Sequence, residues 1–537
     1  MKKLLLLISL VLSVPAFATT RYVAATAGTF SGGTACNGHT AITATTWNST
    51  ALAAGDVTYI CGTITATANT ELLIFHNGGS SGNPVVLNFD TGAVIQAPYW
   101  PSAGSGGAID TAGNNYITIN GQNTGLIQST LNGYSGLTCP GGACSYQHDS
   151  VAVQNNGGSN FILENLTIAD LAVSASGYSP TDSTCGTSNS PCGEAVYDNG
   201  TASDWTITGN TMHDMSWCLD IQYGSGSGNL TISNNTIYNI DHGIALGGPG
   251  SSSSLNGVYV FGNNIHDYSN WDTANDYWHH DGIHIWGDGD NGSNSITNVY
   301  IHHNTFGGSI GQNVTAHIFI EQNAGATTNV FIFRNSLIDT GDGGDNDGLI
   351  TTGVDSGYTI LNNTIYCSDA TNADAGNGTS SSSNITFANN IVAGCSLGLQ
   401  YMAGGSVASG GLHNNLYAAG AGNCASGGVD CFNYASHGWQ GLFSTWQSQT
   451  GQDASPSQYA TSATLNSSGV PQSGSAAIGN GANLTSSLCS GNLATLCTDL
   501  AGNPEPATGA WAIGAYEAAS APAAPTNLTG TVVGILQ

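Results

Sequence analysis

Acidic, imidazole and indole side chains are concentrated in one part of the chain, between residues 220 and 321. The groups suited to acid–base chemistry are Asp220, Asp241, His280, Asp281 and His284. Two carboxyl groups roughly 5–10 Å apart can cleave a glycosidic bond if one is protonated and the other ionised. Three further side chains suited to holding a sugar are Trp286, His317 and Glu321. An indole face stacks on a pyranose ring, so these residues predict a carbohydrate site.

Two loops rich in Asp and Gly lie in this part of the chain and just after it. Their carboxylates are Asp288 and Asp290 in the first loop, and Asp342, Asp345 and Asp347 in the second. Closely spaced oxygens on glycine turns are suited to Ca²⁺, which is the one cofactor that the sequence predicts, although Asp-Gly phrases are also ordinary turn sequences. A transition-metal site formed by His280, His284 and His317 is a further alternative.

An Asn-centred phrase recurs through the middle of the chain and defines the elements that must position these groups. Its strong copies centre on Asn210, Asn235, Asn264, Asn304, Asn335, Asn363, Asn390 and Asn415, with weaker copies at Asn120 and Asn165. The intervals fall in the 20–50-residue range of stacked-repeat proteins. Each repeat contains short runs in which apolar and polar residues alternate, and this pattern predicts strands. Stacked repeats would place the Asn side chains at one corner as a structural ladder.

Aligning the strand after each Asn predicts which side chains share a face. Ile221, Ile244, Ile283, Ile318 and Leu349 form the predicted inward stack. Alternation then places the flanking residues outside. The predicted outward columns are Asp241, His280 and Thr315; Asp220, Gly243, Gly282 and His317; Ala245, His284 and Phe319; and Gly247, Trp286 and Glu321. Asp281 is nominally inward, but from the strand start it can swing into the patch.

The repeats resemble those of right-handed parallel β-helix proteins of the pectate-lyase-like superfamily, over residues 113–420. The chain end is also similar to that of many secreted bacterial β-helix proteins, in the phrases at residues 475–479, 502–506 and 512–517. The phrase from Asp241 to Gly247 is similar to a motif of polygalacturonase-type hydrolases. The resemblance implies an all-β solenoid and activity on a polysaccharide.

The predicted organisation has five parts. These are a signal peptide (1–18), an N-terminal cap with the first repeats (19–112), the parallel β-helix repeats (113–420), a C-terminal closing segment (421–518) and a linker-like tail (519–537).

Composition limits the partners and the compartment. The formal net charge is −29 with only four Lys and Arg, so a phosphate-binding surface for nucleic acid is not expected. Residues 1–18 read as a secretory signal cut after Ala18, and no later apolar run is long enough to span a membrane. Twelve of the thirteen cysteines form sequence-near pairs, which indicates disulfides in an oxidising compartment. The pairs are Cys36/Cys61, Cys139/Cys144, Cys185/Cys192, Cys367/Cys395, Cys424/Cys431 and Cys489/Cys497, and Cys218 remains over.

Two functions fit these observations. The first is a secreted, polysaccharide-degrading enzyme, more similar to a glycoside hydrolase than to a lyase, acting on a polysaccharide or cell-surface glycan. A lyase usually takes Arg or Lys as its base, and after the signal only Arg21 and Arg334 remain. The second is a non-catalytic adhesin, surface-coat or filament protein, in which the polar columns are a solvated face.

Overall fold

The structure is a computed structural model, and its description covers most of the chain after the predicted signal. The described residues are 18–131, 148–172, 193–248, 250, 252–268, 279–287, 294–310, 314–339, 346–367, 373–374, 377–378, 383–394, 399–401, 406–418, 432–434, 439–440, 442–454 and 456–517. The chain divides into two compact units, Met1–Thr231 and Ile232–Gln537. Among the described residues, no helix has the length and apolar character needed to span a bilayer.

The first unit is mainly a stack of short parallel strands that begins at Thr20, inside the predicted cap. Its strands are Thr20–Val23, Gly28–Thr29, Thr40–Ala41, Val57–Ile60, Thr63–Thr65, Leu73–Ile74, Val85–Phe89, Val94–Ala97, Ile109–Asp110, Ile117–Ser129, Val151–Gln154, Phe161–Ala169, Glu194–Asp198, Ser203–Thr208, Thr211–His213 and Trp217–Gln222, with one helix, Ala44–Asn48. Gly28–Thr29 and Thr40–Ala41 form a separate antiparallel pair. The strand Ser227–Ser233 contains the point of division. Strand pairing stacks Leu87, Ile119, Leu163 and Ile207 in one fully buried column.

The second unit winds in a similar way. Its first turns contain three strands each, and in the next turns two of the three are joined in one continuous strand, Val314–Phe333 and Asn346–Leu361. Its strands are Thr236–Tyr238, His242–Gly248, Ser254–Phe261, Asn264–His266, His280–Gly287, Asn294–His302, Thr305–Gly307, Val314–Phe333, Ser336–Asp339, Asn346–Leu361, Thr364–Cys367, Ala373–Asp374, Asn377–Gly378, Ser383–Ala388, Ile391–Ala393, Leu399–Tyr401, Ser406–His413, Leu416–Ala418, Phe432–Tyr434, Trp439–Gln440 and Gln458–Ala460. The helices are Phe443–Thr450 and Thr485–Leu488, with a 3₁₀ helix at Gly491–Cys497.

Parallel pairing of equivalent strands in successive turns confirms the predicted fold class, a right-handed parallel β-helix. The predicted register is also correct in the second unit, where Ile244 pairs with Ile283, Ile283 with Ile318 and Ile318 with Leu349. Ile244, Ile283 and Ile318 are fully buried. One column of like residues therefore fills the same side of the coil in successive turns.

The Asn ladder lies inside the second unit and runs through Asn235, Asn263, Asn304, Asn335, Asn363, Asn390 and Asn415. Each backbone N–H donates to the side-chain oxygen of the next Asn at 2.9–3.0 Å, and the side-chain amides donate along the same line. The ladder residue is Asn263 and not Asn264, which is exposed. In the first unit, the N–H that bonds to Asn210 belongs to Leu166, so Asn165 also stands one residue before the ladder position.

The residue before each ladder position turns the corner in the left-handed conformation, and its side chain points out of the coil. The corners His303, Arg334, Asn362, Asn389 and Asn414 have φ values of 50–57°. Each bonds to the segment 480–514, through contacts such as His303 Nε2 with the carbonyl of Thr498 (3.0 Å). This part of the predicted closing segment therefore runs along the side of the coil. The strand Gln458–Ala460 adds to the end of the parallel stack, because it pairs with Leu416–Ala418.

Two of the predicted disulfides are present, Cys36–Cys61 and Cys489–Cys497. Cys367 is also disulfide-bonded, and its predicted partner Cys395 lies outside the described residues. Among the described residues Cys218 is a free and fully buried thiol, and burial raises its pKa well above the usual value. The three other predicted pairs lie outside the described residues.

Candidate functional site

The candidate site lies on three adjacent strands of the second unit, His242–Gly248, His280–Gly287 and Val314–Phe333. The register stacks His284 on Ala245 and under Phe319, and it stacks Trp286 on Gly247 and under Glu321. These two columns are the ones predicted from the repeat. Side chains from three turns therefore meet on one face of the coil.

Asp281 is the centre of the site. Its Oδ2 atom lies 2.9 Å from His279 Nε2, 3.2 Å from His242 Nε2 and 3.5 Å from His284 Nδ1. Its Oδ1 accepts a hydrogen bond from the backbone N–H of Ala316 at 3.0 Å, which fixes the orientation of the carboxylate. Asp281 is fully buried, and burial alone would raise its pKa, but the neighbouring imidazoles of His242 and His279 hold the pKa well below its usual range. Asp281 is therefore an ionised carboxylate aimed at three imidazoles.

His242 is held between two carboxylates. Its Nδ1 atom lies 2.6 Å from Asp241 Oδ1, and its Nε2 faces Asp281. Burial favours the neutral ring, but Asp241 and Asp281 outweigh that effect and raise the pKa of His242 to about 10. Asp241 is itself fully buried, so its structural effect is to fix the tautomer and the direction of His242.

The outer edge of the site is aromatic and partly open to solvent. His284 lies between Trp286 and Phe319, with both ring centroids 4.5 Å from its own. Its Nε2 is 3.5 Å from Oε2 of Glu321, whose side chain is 30% exposed. Burial lowers the pKa of His284, and the contact with Glu321 acts in the opposite direction. The Trp286 ring lies over Gly247, where a Cβ would overlap it.

Two members of this group, His242 and His279, were not among the predicted site residues. The strict alternation used to assign faces fails at the start of the strands: His280 pairs with Val314 and Asp281 with Ala316, which leaves Thr315 as an extra residue. Thr315 therefore does not stand in one column with Asp241 and His280, because His280 pairs with Val314. Asp281 lies on the patch because alternation also fails between Gly282 and Ile283, which both point towards the core. The available signal was the density of imidazoles around Asp281 in the sequence.

His280 and His317 lie elsewhere. Both are fully buried. The ring of His317 packs beside Phe306 and Tyr268, with centroids 5.5 and 6.1 Å away, and burial lowers its pKa to about 4. Its neighbours in register, Gly243 and Gly282, also point towards core side chains. This column was expected to face solvent, and that expectation is wrong.

Asp220 belongs to the first unit, where it forms part of a separate group of buried acids. It is fully buried and pairs in register with Tyr197. The pKa of Glu194 is raised well above its usual value, first by burial and then by the charges of Asp149 and Asp220. Burial and the same acids raise the pKa of Tyr197 to about 12. Burial and these charges therefore favour the protonated form of Glu194.

The binding of Ca²⁺ by the two Asp-rich loops stays a prediction. Asp288, Asp290, Asp342 and Asp345 lie outside the described residues. For Asp347 the backbone is described, within the strand Asn346–Leu361, where it pairs with Ala316.

Similarity to known proteins was found among solved structures. No family model and no curated protein matches the chain. The complex of XylC with xylose is similar to the chain with 11% identity and a TM-score of 0.47, over 93% of this chain and 98% of that one. The GH136 lacto-N-biosidase from Eubacterium ramulus has 12% identity and a TM-score of 0.43, over 82% and 68%. The mannuronan C-5 epimerase AlgE6 A-module from Azotobacter vinelandii has 12% identity and a TM-score of 0.36, over 75% and 91%. Likeness at these identities concerns the path of the chain and not its chemistry.

Proposed function

We propose that this chain is a secreted enzyme that cleaves a polysaccharide or cell-surface glycan by hydrolysis. The observation that supports this proposal is the edge formed by His284, Trp286, Phe319 and Glu321. It combines a partly exposed carboxyl group with aromatic rings 4.5 Å from a buried imidazole. Glycosidic cleavage needs a proton-transferring carboxyl group beside a surface on which a sugar ring can stack.

The role proposed for each residue follows from how far its side chain is exposed to solvent. Glu321 is the proton-transferring group, because its carboxyl is the one in this cluster that is both partly exposed and next to an imidazole. His284 orients Glu321, and the ionised Asp281 keeps negative charge close to the positive charge that develops on the sugar. Asp241 and His280 are fully buried, so we assign them positioning roles.

The pairing of the basic residues favours hydrolysis over β-elimination. Arg21 forms an ion pair with Asp56 at 2.5 Å, and Arg334 is fully buried against Glu505. The other two basic residues, Lys2 and Lys3, lie in the predicted signal peptide. No Lys or Arg therefore remains to act as the base of a lyase or to neutralise a uronate, and a neutral glycan is the preferred substrate.

A panel of neutral and acidic polysaccharides tests the proposal, with reducing ends and unsaturated products measured separately. We expect new reducing ends without unsaturated products. Glu321→Gln should lower kcat by about 100-fold or more, in the range of a lost acid–base group. The matched control is Glu164→Gln, a half-buried Glu of the first unit outside the site.

Other outcomes would overturn parts of the proposal. Unsaturated products would show a lyase. Full activity in Glu321→Gln would remove the assigned proton-transfer group, and the same assay on Asp220→Asn would show whether the acids of the first unit carry the reaction. No turnover on any glycan, together with self-assembly or cell adhesion, would support the non-catalytic alternative.

A further inference from the structure

We propose that His242, His279, Asp281 and His284 form a binding site for one divalent transition-metal ion, with Zn²⁺ as the first candidate. The proposal goes beyond glycan cleavage and does not depend on it. It also differs from the predicted Ca²⁺ loops, because three of the four donors are imidazole nitrogens. Imidazole suits zinc and its transition-metal neighbours, whereas Ca²⁺ takes oxygen ligands.

The spacing of the donor atoms fits a tetrahedral ion. One nitrogen or oxygen atom from each of the four residues lies within 4.8 Å of all the others. Bonds of about 2.0–2.1 Å in a tetrahedron place neighbouring donors about 3.3–3.4 Å apart. The distances between His242 Nε2, His284 Nδ1 and Asp281 Oδ2 are 3.2, 3.3 and 3.5 Å, and His279 Nε2 is 2.9 Å from the same oxygen.

Hydrogen bonding alone explains this arrangement poorly. Three imidazole nitrogens converge on one carboxylate oxygen, which has two lone pairs. Two of those nitrogens, His242 Nε2 and His284 Nδ1, also face each other at 3.3 Å. A cation bound here would take the place of the proton on His242 Nε2, while the proton on Nδ1 stays towards Asp241. One donor atom from each of the four residues would then face a single point, which is the arrangement that a cation binds.

The surrounding contacts are those that hold metal ligands in place. Ligating imidazoles usually bond through their second nitrogen to a carboxylate, which fixes the tautomer. Asp241 meets this requirement for His242 at 2.6 Å, and the carboxylate of Glu321 lies 3.5 Å from the second nitrogen of His284. The second oxygen of Asp281 is held by the N–H of Ala316.

The site is also reachable. The side chain of His279 is 40% exposed, whereas those of His242, Asp281 and His284 are buried. An ion can therefore enter past His279 and be enclosed by the other three ligands.

Metal binding can be measured on the full exported chain without any glycan. The protein is stripped with a chelator, and Zn²⁺ is added in a calorimeter. In parallel, Co²⁺ is added and its visible absorption is recorded. We expect one Zn²⁺ per chain with a Kd below about 1 µM and the intense visible bands of four-coordinate Co²⁺. His279→Ala and Asp281→Asn should each weaken binding at least about 100-fold. The matched control is His266→Ala, which removes a histidine that also contacts an aspartate, Asp267 at 2.5 Å, outside the cluster.

The outcomes separate this proposal from the function proposed above. Absence of stoichiometric uptake by the wild-type chain, or equal weakening by His266→Ala, would overturn the metal site, even if glycan cleavage is found. If Asp281→Asn does not fold, the Co²⁺ spectrum of the wild type decides, because six-coordinate, weakly absorbing Co²⁺ would contradict the four-ligand site. Tight uptake by a chain that cleaves no glycan would support the metal site and overturn the hydrolase.

Discussion

The guanidinium group of Arg334 donates a hydrogen bond from Nη2 to Oε1 of Glu505, and both side chains are fully buried. The same guanidinium also donates to the carbonyls of Leu496 (3.2 Å) and Gly514 (2.9 Å), and it lies over the ring of Trp511. The cation of this contact comes from a corner of the coil and the anion from the docked segment.

Breaking this ion pair should release the docked segment. Arg334→Met leaves Glu505 and two carbonyls buried without their donor, and a buried pair that loses one member costs about 3–5 kcal/mol. We expect a lower Tm and faster proteolysis within residues 480–514, measured by thermal unfolding and limited digestion. Arg21→Met is the control, because the side chain of Arg21 is partly exposed and its pair with Asp56 should contribute no more than about 1 kcal/mol.

The double variant Arg334→Met with Glu505→Leu separates the stability contributed by the ion pair from that contributed by side-chain packing. Since it leaves no unpaired charge, it should recover part of the lost Tm. A double variant as unstable as the sum of the two single variants would show that the ion pair itself does not couple the segment to the coil.

Neighbouring asparagines should differ sharply in their contribution to stability. Asn263 accepts hydrogen bonds from the backbone and side-chain amides of Asn235, and it donates to the carbonyl of Ile232. Asn263→Ala orphans these buried groups and should cost about 1–3 kcal/mol or more. Asn264→Ala removes an exposed side chain bonded to Thr305, and its effect should stay within about 0.5 kcal/mol. Chemical unfolding of both variants measures the difference, and equal losses would contradict the assignment of the ladder residue.

A methyl group at Gly247 should displace the aromatic edge of the site. A Cβ at this position overlaps the ring of Trp286, which lies on the following turn. Gly247→Ala should therefore weaken oligosaccharide binding by about 10-fold, the effect of losing about 1.4 kcal/mol of stacking, with little change in Tm. Calorimetric titration with the best oligosaccharide from the panel measures this, with the exposed Ser252→Ala as the control. Unchanged affinity would show that Trp286 does not contact the sugar.

Asp170 should make the first unit less stable as the pH rises. Burial, and then the charge of Asp214, raises the pKa of Asp170 to about 6, above the value of about 3.9 in an unfolded chain. The carboxyl therefore favours the folded state most when it is protonated, below about pH 4, and this contribution disappears as the pH passes through about 6. Because Asp170 is partly exposed, we expect a change of about 1 kcal/mol or less. Asp170→Asn should flatten the Tm profile between pH 4 and 6, and Asp204→Asn should not. Parallel profiles for the wild type and Asp170→Asn would contradict this assignment.

The repeat predicted more of the fold than of the site. It predicted the coil and the pairing of Trp286 with Gly247 and Glu321, because equivalent positions of successive turns lie one above the other. It placed His317 on the wrong face, because His317 and the adjacent Ile318 are both buried and strict alternation therefore fails between them. It missed His279, because this residue precedes the strand His280–Gly287 and belongs to no column of the repeat. The repeat also missed the ladder position by one residue at Asn263, since both of two adjacent asparagines satisfy the same pattern. Contacts that join distant segments, such as Arg334 with Glu505, leave no periodic signal.

The ladder has a consequence for how such a chain can change in length. Each turn brings its own asparagine, which bonds to the turns directly before and after it. Removing the stretch from one ladder asparagine to the next would therefore join equivalent positions and leave the hydrogen-bonded line continuous. The protein is in this sense modular, and whole turns are the units in which it can be lengthened or shortened. The corner side chains that hold residues 480–514 limit this freedom, because a shorter coil would offer that segment fewer places to attach.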